Sequence, residues 1–240
     1  MKVVGIIQAR MASTRLPGKV LIPVVGQTLL AHQIERLEKC QGLNALAVAT
    51  GDGEEDDPVA KECSRIGIPC FRGNPDDVLD RVLNAAKEYK AEAITHFTGN
   101  CPLIDPKIST SIIWHFLANT YKLVGCAGII PEERTFPHGL DTEIFSMETL
   151  EEAAGNAFQL DQRQDVTAWI YDNYPQQIHT FTYHSDQSRH RWIVKTPEDL
   201  ELIKSIYNHL YHGEHDFYLE DILAFLEDHP ELAEISLRTE

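Results

Sequence analysis

Three cationic side chains lie close together near the start of the chain, directly after an apolar run. The run spans Val3 to Ile7, and Arg10, Arg15 and Lys19 follow it in the segment QARMASTRLPGK. Arginine bonds phosphate oxygens in pairs and lysine supplies a point charge, so this segment suits a polyphosphate. Loop amides or a helix N-terminus would complete such a cradle. On spacing alone, a solvated loop is an equal alternative, because Lys and Arg are usually exposed.

The loop lacks the two common phosphate-binding patterns, since neither G-x-x-x-x-G-K-[ST] nor G-x-G-x-x-G occurs in it. The rest of the chain is acidic. Its 240 residues hold 21 Lys and Arg against 37 Asp and Glu, a formal net charge of −16. Such a surface repels nucleic acid and anionic lipid, whereas one local basic loop steers a small polyanion to a single place.

The cysteine pattern and the hydropathy both indicate a cytoplasmic protein. The five cysteines are odd in number and form no C-x-x-C pair, which is typical of reduced thiols. No apolar stretch reaches the length of about eighteen residues that a membrane-spanning helix needs. No basic segment with a cleavage site precedes the first apolar run. We therefore expect no membrane insertion and no nucleic-acid partner.

Strand and helix patterns alternate through the first two thirds of the chain. The predicted strands are 3–7, 45–50, 68–71, 93–98 and 122–127, and the predicted helices are 28–40, 57–66, 77–89 and 106–117. This alternation predicts an α/β fold with right-handed crossovers and a mostly parallel sheet. Ligands bind beyond the carboxyl ends of such strands. The cationic loop follows the first strand and Gly99-Asn100 follows the fourth, so both should lie at one edge.

The pattern loosens after residue 128. The turn-rich segment 129–146 predicts a loop and strand, and further strands are predicted at 178–184 and 189–196. Helices are predicted at 162–171, 196–210 and 218–227. Thr196, Pro197 and the acids after them form a favourable helix start. We expect one domain over 1–240, with a smaller lobe formed largely by 130–190.

Five segments resemble, in the right order, one family of nucleotide-sugar-forming cytidylyltransferases. They are QARMASTRLPGKVL (8–21), FRGNPDDVLDRV (71–82), TGNCPLID (98–105), FPHGLDTEIFS (136–146) and TPEDLELI (196–203). The sequence is most similar to the spore coat polysaccharide biosynthesis protein F group, and more distantly to enzymes that activate sialic acid and 3-deoxy-manno-octulosonate. The resemblance implies a Rossmann-like nucleotide-diphospho-sugar transferase fold with a small strand-and-helix lobe. It also implies a homodimer that joins CTP to a sugar or sugar acid for surface or spore polysaccharide, releasing pyrophosphate.

The resemblance also assigns site residues. The nucleotide would be bound by Gln8, Ala9, Arg10, Ser13, Arg15, Lys19, Asp77, Arg81 and Gly99. The sugar would be bound by His138, Asp141, Arg163 and Gln164. If the protein is active, Lys19, Lys195 and Asn100 would be catalytic. Lys195 would neutralise developing charge and Asn100 would orient one reactant, because positioning and charge neutralisation dominate such transfers.

Two carboxylates that hold magnesium in the family are replaced by Asn100 and Lys195, so no metal ligand is predicted at the usual positions. An amide is a neutral ligand at best, and lysine binds no cation. Three interpretations are open. Lys195 supplies the charge of the missing metal, or the protein is a non-catalytic nucleotide or nucleotide-sugar binder. In the third, the triphosphate, water and Asp105 or Asp141 hold magnesium.

Three other features have simpler explanations. His209, His212 and His215 lie near Gly213 and among acidic residues, which predicts a frayed helix end and loop rather than a metal site. Cys101 has no evident base partner, so a packing role is expected. Trp192 is expected in the core.

Overall fold

The computed structural model describes residues 1–128 and 131–237. The strands are β1 Val3–Gln8, β2 Pro23–Val24, β3 Gln27–Thr28, β4 Ala45–Gly51, β5 Cys70–Gly73, β6 Ala93–Thr98, β7 Leu123–Gly125, β8 Glu143–Ser146 and β9 Ile178–Thr180. The helices are α1 Leu29–Glu38, α2 Asp57–Ile66, α3 Val78–Glu88, α4 Pro106–Leu117, α5 Met147–Asn156, α6 Leu160–Gln164, α7 Ala168–Asn173, α8 Pro197–Leu210, α9 Leu219–Asp228 and α10 Pro230–Ser236. Short 3-10 turns span Lys19–Leu21, Glu54–Asp56, Pro131–Glu133 and Pro175–Gln177.

In the described part of the chain, seven strands form one mixed sheet in the order β5-β4-β1-β6-β8-β7-β9. Strands β5, β4, β1 and β6 are parallel, and β9 is parallel to β7. Strand β8 is antiparallel to both of its neighbours. The predicted mostly parallel sheet is therefore confirmed. Gln8 pairs with Thr98, which brings the carboxyl ends of β1 and β6 side by side.

Local sequence explains the helices that border this edge. Helix α4 begins after Asp105, whose carboxylate accepts bonds from the amides of Lys107 and Ile108. Helix α8 begins after Thr196, which forms a reciprocal capping box with Asp199. Both helices occupy their predicted ranges closely, because cap residues and apolar periodicity are local signals.

Several predicted elements in the second half are wrong. The range 189–196 contains no strand, only an isolated bridge between His138 and Arg191. Strand β9 ends at Thr180 rather than at 184, and the predicted helix 162–171 is divided into α6 and α7. The division falls at Asp165, whose backbone is extended and whose carboxylate accepts the Thr167 amide at 3.1 Å. The start of the predicted segment 129–146 lies outside the described residues.

The helices pack on both faces of the sheet and complete the core. One cluster lies among β6, β7, β8, α4, α8 and α9, and it contains Trp192, which is fully buried as expected. Strands β8 and β9, which come from the predicted 130–190 lobe, join the main sheet. No helix in the described residues is long and apolar enough to cross a membrane.

Candidate functional site

A cavity of about 670 Å³ lies where β1 and β6 end. Its lining residues are Gln8, Ala9, Arg10, Ala12, Ser13, Thr14, Arg15, Pro17, Lys19, Val20, Thr98, Gly99, Asn100 and Lys195. This lining includes four Lys or Arg side chains and no Asp or Glu. We call it the cationic cavity. It brings together all three predicted catalytic residues and seven of the predicted nucleotide-binding residues: Gln8, Ala9, Arg10, Ser13, Arg15, Lys19 and Gly99.

The loop after β1 is held in place by backbone bonds and one buried carboxylate. The Gly18 amide donates to the Met11 carbonyl at 2.9 Å, which closes the loop 11–18. Gly18 adopts φ 68°, a left-handed conformation that glycine favours. Asp56 is buried and accepts the amides of Met11 at 2.6 Å and Gly51 at 3.0 Å. The cationic side chains are therefore presented by an organised loop.

A second pair of backbone contacts brings Lys195 to the cavity. The Gly99 amide donates to the Gln8 carbonyl at 2.8 Å, which ties the loop after β6 to the end of β1. The Val194 amide then donates to the Asn100 carbonyl at 2.8 Å. As a result, two positions that are far apart in sequence, Asn100 and Lys195, lie in the wall of one cavity.

The pKa of Lys19 reports the electrostatic character of this cavity. Burial lowers that pKa, and the positive charges of Lys195 and Arg10 lower it further. Like charges that line one cavity disfavour each other's charged form unless an anion lies between them. The arrangement is therefore suited to a polyanionic ligand, such as a triphosphate.

The cationic cavity does not suit magnesium held by protein carboxylates, because its lining contains none. Both carboxylate oxygens of Asp105 already accept hydrogen bonds from the backbone. One oxygen caps α4, and the other accepts the Leu219 amide at 2.9 Å. Asp199 accepts the Lys195 amide at 2.8 Å and pairs with Arg191. The structure thus contradicts the interpretation in which Asp105 holds the metal, and the usual positions carry an amide and a cation.

A second cavity, of about 370 Å³, adjoins the first. Its lining residues are Gln8, His96, Thr98, Ala127, Gly128, Asp141, Glu143, Gln164, Asp165, Val166, Thr167 and Tyr171. Gln8 and Thr98 line both cavities. Three carboxylates and no Lys or Arg appear in this lining, so we call it the acidic cavity.

Glu143 is the most enclosed of these carboxylates, with 14% of its side chain exposed. It accepts hydrogen bonds from the hydroxyls of Tyr171 at 2.8 Å and Thr167 at 3.1 Å. Nδ1 of His96 lies 3.8 Å from Oε2 of Glu143, and Nε2 of His96 is buried without a partner among the described residues. Burial and the Glu143 charge raise the pKa of Tyr171 well above its ordinary value, so the hydroxyl remains a donor.

The predicted sugar-binding residues divide into two groups. Asp141 and Gln164 line the acidic cavity, whereas His138 and Arg163 line neither cavity. Burial lowers the pKa of His138, and its backbone pairs with the 190–192 segment. Arg163 donates to Asp77 at 2.9 Å and to the Ala154 carbonyl at 2.8 Å. Sugar contacts by these two residues stay predictions.

Asp77 and Arg81, predicted to bind the nucleotide, also lie outside both cavity linings. Asp77 caps α3 by accepting the Asp80 amide at 2.9 Å and pairs with Arg163. Arg81 is almost fully buried and donates to the Asn74 carbonyl at 2.6 Å. Both side chains support the start of α3, and their contact with nucleotide stays a prediction.

Thr167 and Tyr171 are site residues that the sequence did not reveal. We predicted one continuous helix over 162–171, whereas the chain breaks between α6 and α7. This break places the hydroxyls of Thr167 and Tyr171 within hydrogen-bond distance of Glu143. The alternation of Asp141 and Glu143 along the chain was the available signal for this side of the site. Burial raises the pKa of the Cys101 thiol to about 12, in agreement with a packing role.

A separate group outside both cavities has the composition of a metal site. Nδ1 of His32 lies 3.3 Å from Nε2 of His215, which lies 3.1 Å from Oε2 of Glu35. Helix α8 ends at Leu210 and His215 lies in the loop after it, as expected, although its side chain is buried. Because Nε2 of His32 lies 2.7 Å from the Val24 carbonyl, it must donate there. Hydrogen bonding accounts for these distances, and buried Arg36 contributes an opposing positive charge.

Comparisons with known proteins agree on one family. The family model described as Cytidylyltransferase matches residues 4–222. Spore coat polysaccharide biosynthesis protein SpsF of Bacillus subtilis (strain 168) is 31% identical over 241 residues, which cover 95% of each chain. A cytidylyltransferase structure from Leptospira borgpetersenii serovar Hardjo-bovis has a TM-score of 0.91 and 31% identity, with 100% of this chain and 99% of that chain covered.

A more distant solved structure shares the fold. CMP:2-keto-3-deoxy-manno-octonic acid synthetase, complexed with CTP, has a TM-score of 0.69 at 17% identity, and the match covers 87% of this chain and 99% of that chain. Together with the observed sheet, these similarities confirm the expected nucleotidyltransferase type of α/β fold.

Proposed function

The chain belongs to the cytidylyltransferase family, and we propose that it transfers a cytidylyl group from CTP to a hydroxyl of a sugar or sugar acid in surface polysaccharide biosynthesis. One observation carries this proposal: a cavity lined by cations and a cavity lined by hydrogen-bond acceptors meet at Gln8 and Thr98. A nucleotide in the first and a sugar in the second would place the two reactants side by side.

In this proposal the cationic cavity holds CTP. Arg10, Arg15 and Lys19 contact the triphosphate, and Ser13 and Gly99 contribute further polar contacts from the same wall. Gln8 and Ala9, at the end of β1, lie against the base. Charge neutralisation by Lys and Arg is the main requirement for binding a triphosphate, and this cavity provides four such side chains.

The acceptor hydroxyl attacks the α-phosphorus near the shared residues Gln8 and Thr98. A bond forms between the hydroxyl oxygen and phosphorus, the bond to the β-phosphate oxygen breaks, and pyrophosphate leaves while the hydroxyl proton passes to solvent. Lys19 and Lys195 stabilise the negative charge that develops on the phosphates, and Asn100 orients one reactant through its amide. Fixed charges aimed at developing charge supply a large part of enzymatic rate enhancement.

We propose that Lys195 provides the positive charge that a metal ion provides in related sites. The support is the absence of carboxylates from the described cavity lining and the presence of Lys195 in it. A lysine offers one charge and no octahedral ligand shell, so this arrangement neutralises charge without coordinating a phosphate.

We also propose a cytoplasmic homodimer in which the 130–190 segment binds the sugar and contacts the second copy. Phe158 and Leu160 support the interface, because these large apolar side chains, two residues apart in sequence, are 87% and 68% exposed. The free cysteines support a reducing compartment. A role in the spore coat is proposed by similarity to the SpsF protein.

The experiment is a calorimetric titration of CTP, with UTP, ATP and GTP for comparison, in excess chelator and again with magnesium. We expect CTP to bind in chelator, and Lys195→Ala to weaken binding about tenfold or more. Lys204→Ala is the matched control, because Lys204 pairs with Glu201 on the exposed surface of α8. Absence of nucleotide binding under both conditions would refute the function.

A double substitution distinguishes a Lys195 that takes the place of the metal from a site that has lost its metal ligands and its activity. If Lys195 replaces the metal, Asn100→Asp with Lys195→Asp should abolish the pyrophosphate release that is measured in chelator. Magnesium-dependent release gained by the double variant from an inactive parent would show instead that the native site has lost its metal ligands.

A further inference from the structure

We infer that Asp199 is a positioning residue of the nucleotide site: its buried carboxylate fixes the backbone at Lys195 and so sets where that lysine enters the cationic cavity. This inference rests on the proposed function, in which Lys195 neutralises charge on the phosphates of CTP. Asp199 does not line the cavity. It acts on the nucleotide through Lys195.

A lysine that takes the place of a metal ion needs a fixed position. Its charge lies at the end of a flexible four-carbon stem, whereas a fixed charge is most effective when it is held in place before the ligand arrives. Lys195 lies in neither a strand nor a helix, because α8 begins at Pro197 and the segment before it forms only an isolated bridge. Regular secondary structure therefore does not hold this residue.

Asp199 supplies the contact that holds Lys195 against the start of α8. Its side chain is 2% exposed, and Oδ2 accepts the amides of Lys195 at 2.8 Å and Thr196 at 2.9 Å. On the other side, the Val194 amide donates to the Asn100 carbonyl at 2.8 Å. Three consecutive amides are thus bonded, which fixes the backbone on both sides of the Lys195 side chain.

Arg191 holds the carboxylate of Asp199 in place. Nη2 of Arg191 donates to Oδ1 at 2.5 Å, and Nη1 donates to Oδ2 at 3.3 Å. The Arg191 side chain is only 15% exposed, and a guanidinium that donates to both oxygens fixes the plane of a carboxylate. Arg191 and Lys195 belong to the same short segment, so one carboxylate fastens both ends of it to the first turn of α8.

The charge of Asp199 alone would oppose the binding of a triphosphate. Burial and two neighbouring cations lower the pKa of Lys19, whereas the charge of Asp199 raises it. The field of this carboxylate therefore reaches the cationic cavity, where it repels an anion. Asp199 thus favours CTP binding through its contact with the Lys195 backbone and not through its charge.

Helix capping is the alternative role for Asp199, which completes the capping box of α8 with Thr196. The two roles can be separated at Thr196. Thr196→Ala removes the hydroxyl that accepts the Asp199 amide at 3.3 Å, but it keeps the backbone amide that donates to the Asp199 carboxylate. This variant weakens the helix start and leaves the contact between Asp199 and Lys195 in place.

The test is a double-mutant cycle on CTP affinity, measured by calorimetry in excess chelator. Asp199→Asn should weaken CTP binding about 3- to 10-fold in the parent chain and less than about twofold in the Lys195→Ala background, because coupled residues are non-additive. By charge alone, loss of this carboxylate would strengthen the binding of an anion. Weaker binding that depends on Lys195 therefore reports the position of the lysine.

Thr196→Ala is the matched control for helix stability. It should lower Tm by about 2–4 °C through loss of the cap and keep the CTP affinity of the parent within about twofold. A loss of affinity equal to that of Asp199→Asn would show that the stability of α8 is the cause, and it would overturn the inference.

A second variant carries the test if Asp199→Asn does not fold. Arg191→Lys keeps the positive charge but replaces the two-pronged contact with a single donor, so Asp199 is held less firmly. It should weaken CTP binding about 2- to 5-fold, again only where Lys195 is present.

Two further results would overturn the inference. They are an unchanged or higher CTP affinity in folded Asp199→Asn, and an equal loss of affinity with and without Lys195. An unchanged affinity in Lys195→Ala alone would refute the role proposed for Lys195, and the inference with it. That result is distinguishable from the others because it is read in a chain whose Asp199 is intact.

Failure of the parent chain to bind CTP is distinguishable again, because it refutes the proposed function itself.

Discussion

Gly99→Ala tests whether the loop after β6 must pack tightly against the end of β1 to form the cationic cavity. A Cβ atom at position 99 would lie 2.9 Å from the Gln8 carbonyl oxygen and 3.0 Å from Cβ of Ala9. The Gln8 carbonyl belongs to β1, and the Ala9 amide donates to the Ala49 carbonyl at 3.1 Å, so neither atom can rotate away as the end of a flexible side chain would. The Gly99 amide also donates to the same Gln8 carbonyl at 2.8 Å, and the shift that relieves the clash would weaken this bond.

The expected cost follows from these contacts. Overpacking a fixed site by one methyl group costs about 1–3 kcal/mol in free energy of unfolding. For a chain of this size, 1 kcal/mol changes Tm by about 2–4 °C, so Tm should fall by about 2–12 °C. CTP affinity should fall as well, because the displaced loop carries Asn100 and, through the Asn100 carbonyl, holds Val194 next to Lys195.

Gly155→Ala provides the matched control for the thermal unfolding measurement. Gly155 lies in α5, and a Cβ atom there would have no neighbour within 4 Å. Alanine in an exposed helix should raise the free energy of unfolding by about 0.4–1 kcal/mol. If Gly99→Ala were as stable as Gly155→Ala and bound CTP equally well, the close contact between the two strand ends would not be required.

Two further predictions concern stability. Burial lowers the pKa of His215 to about 3 and of His190 to about 4, both from 6.5. Below about pH 6.5 the unfolded chain therefore binds protons that the folded chain does not, and the free energy of unfolding should fall as pH decreases from 6.5 to 4, in urea titrations. A flat profile over this range, or an unchanged slope in His215→Gln, would contradict the assignment. Asp77→Ala should lower the free energy of unfolding by about 1–3 kcal/mol through loss of the α3 cap and the Arg163 pair. A loss of CTP affinity without a loss of stability would support instead a direct nucleotide contact by Asp77.

The elements that were predicted correctly from sequence are those whose ends are set by neighbouring residues in the chain. Helix α4 occupies its predicted range because Asp105 caps it and Pro106 occupies its first position. Helix α8 follows its Thr196 cap for the same reason. The loop that lines the cationic cavity could be predicted from sequence because it directly follows a strand with an uninterrupted apolar pattern.

The parts that were not predictable depend on contacts between distant segments. The range 189–196 has a strand-like pattern, yet its backbone pairs with the 138 region at an isolated bridge and with Asn100 rather than with a strand. Strand β8 inserts antiparallel between β6 and β7, an order that periodicity alone does not encode. The Glu143 site depends on both this insertion and the break before α7, which explains why Tyr171 was missed.

The shared wall of the two cavities has an evolutionary consequence. Gln8 and Thr98 are register partners on the paired strands β1 and β6. The remaining walls come from separate stretches of chain: 9–20, 99–100 and 195 in the cationic cavity, and 96, 127–128, 141–143 and 164–171 in the acidic cavity. If the proposed function is correct, substitutions in the second set would change the acceptor that is bound while the side chains proposed to contact the triphosphate stay unchanged. Two separable walls thus allow one side of the site to change during evolution without disturbing the other.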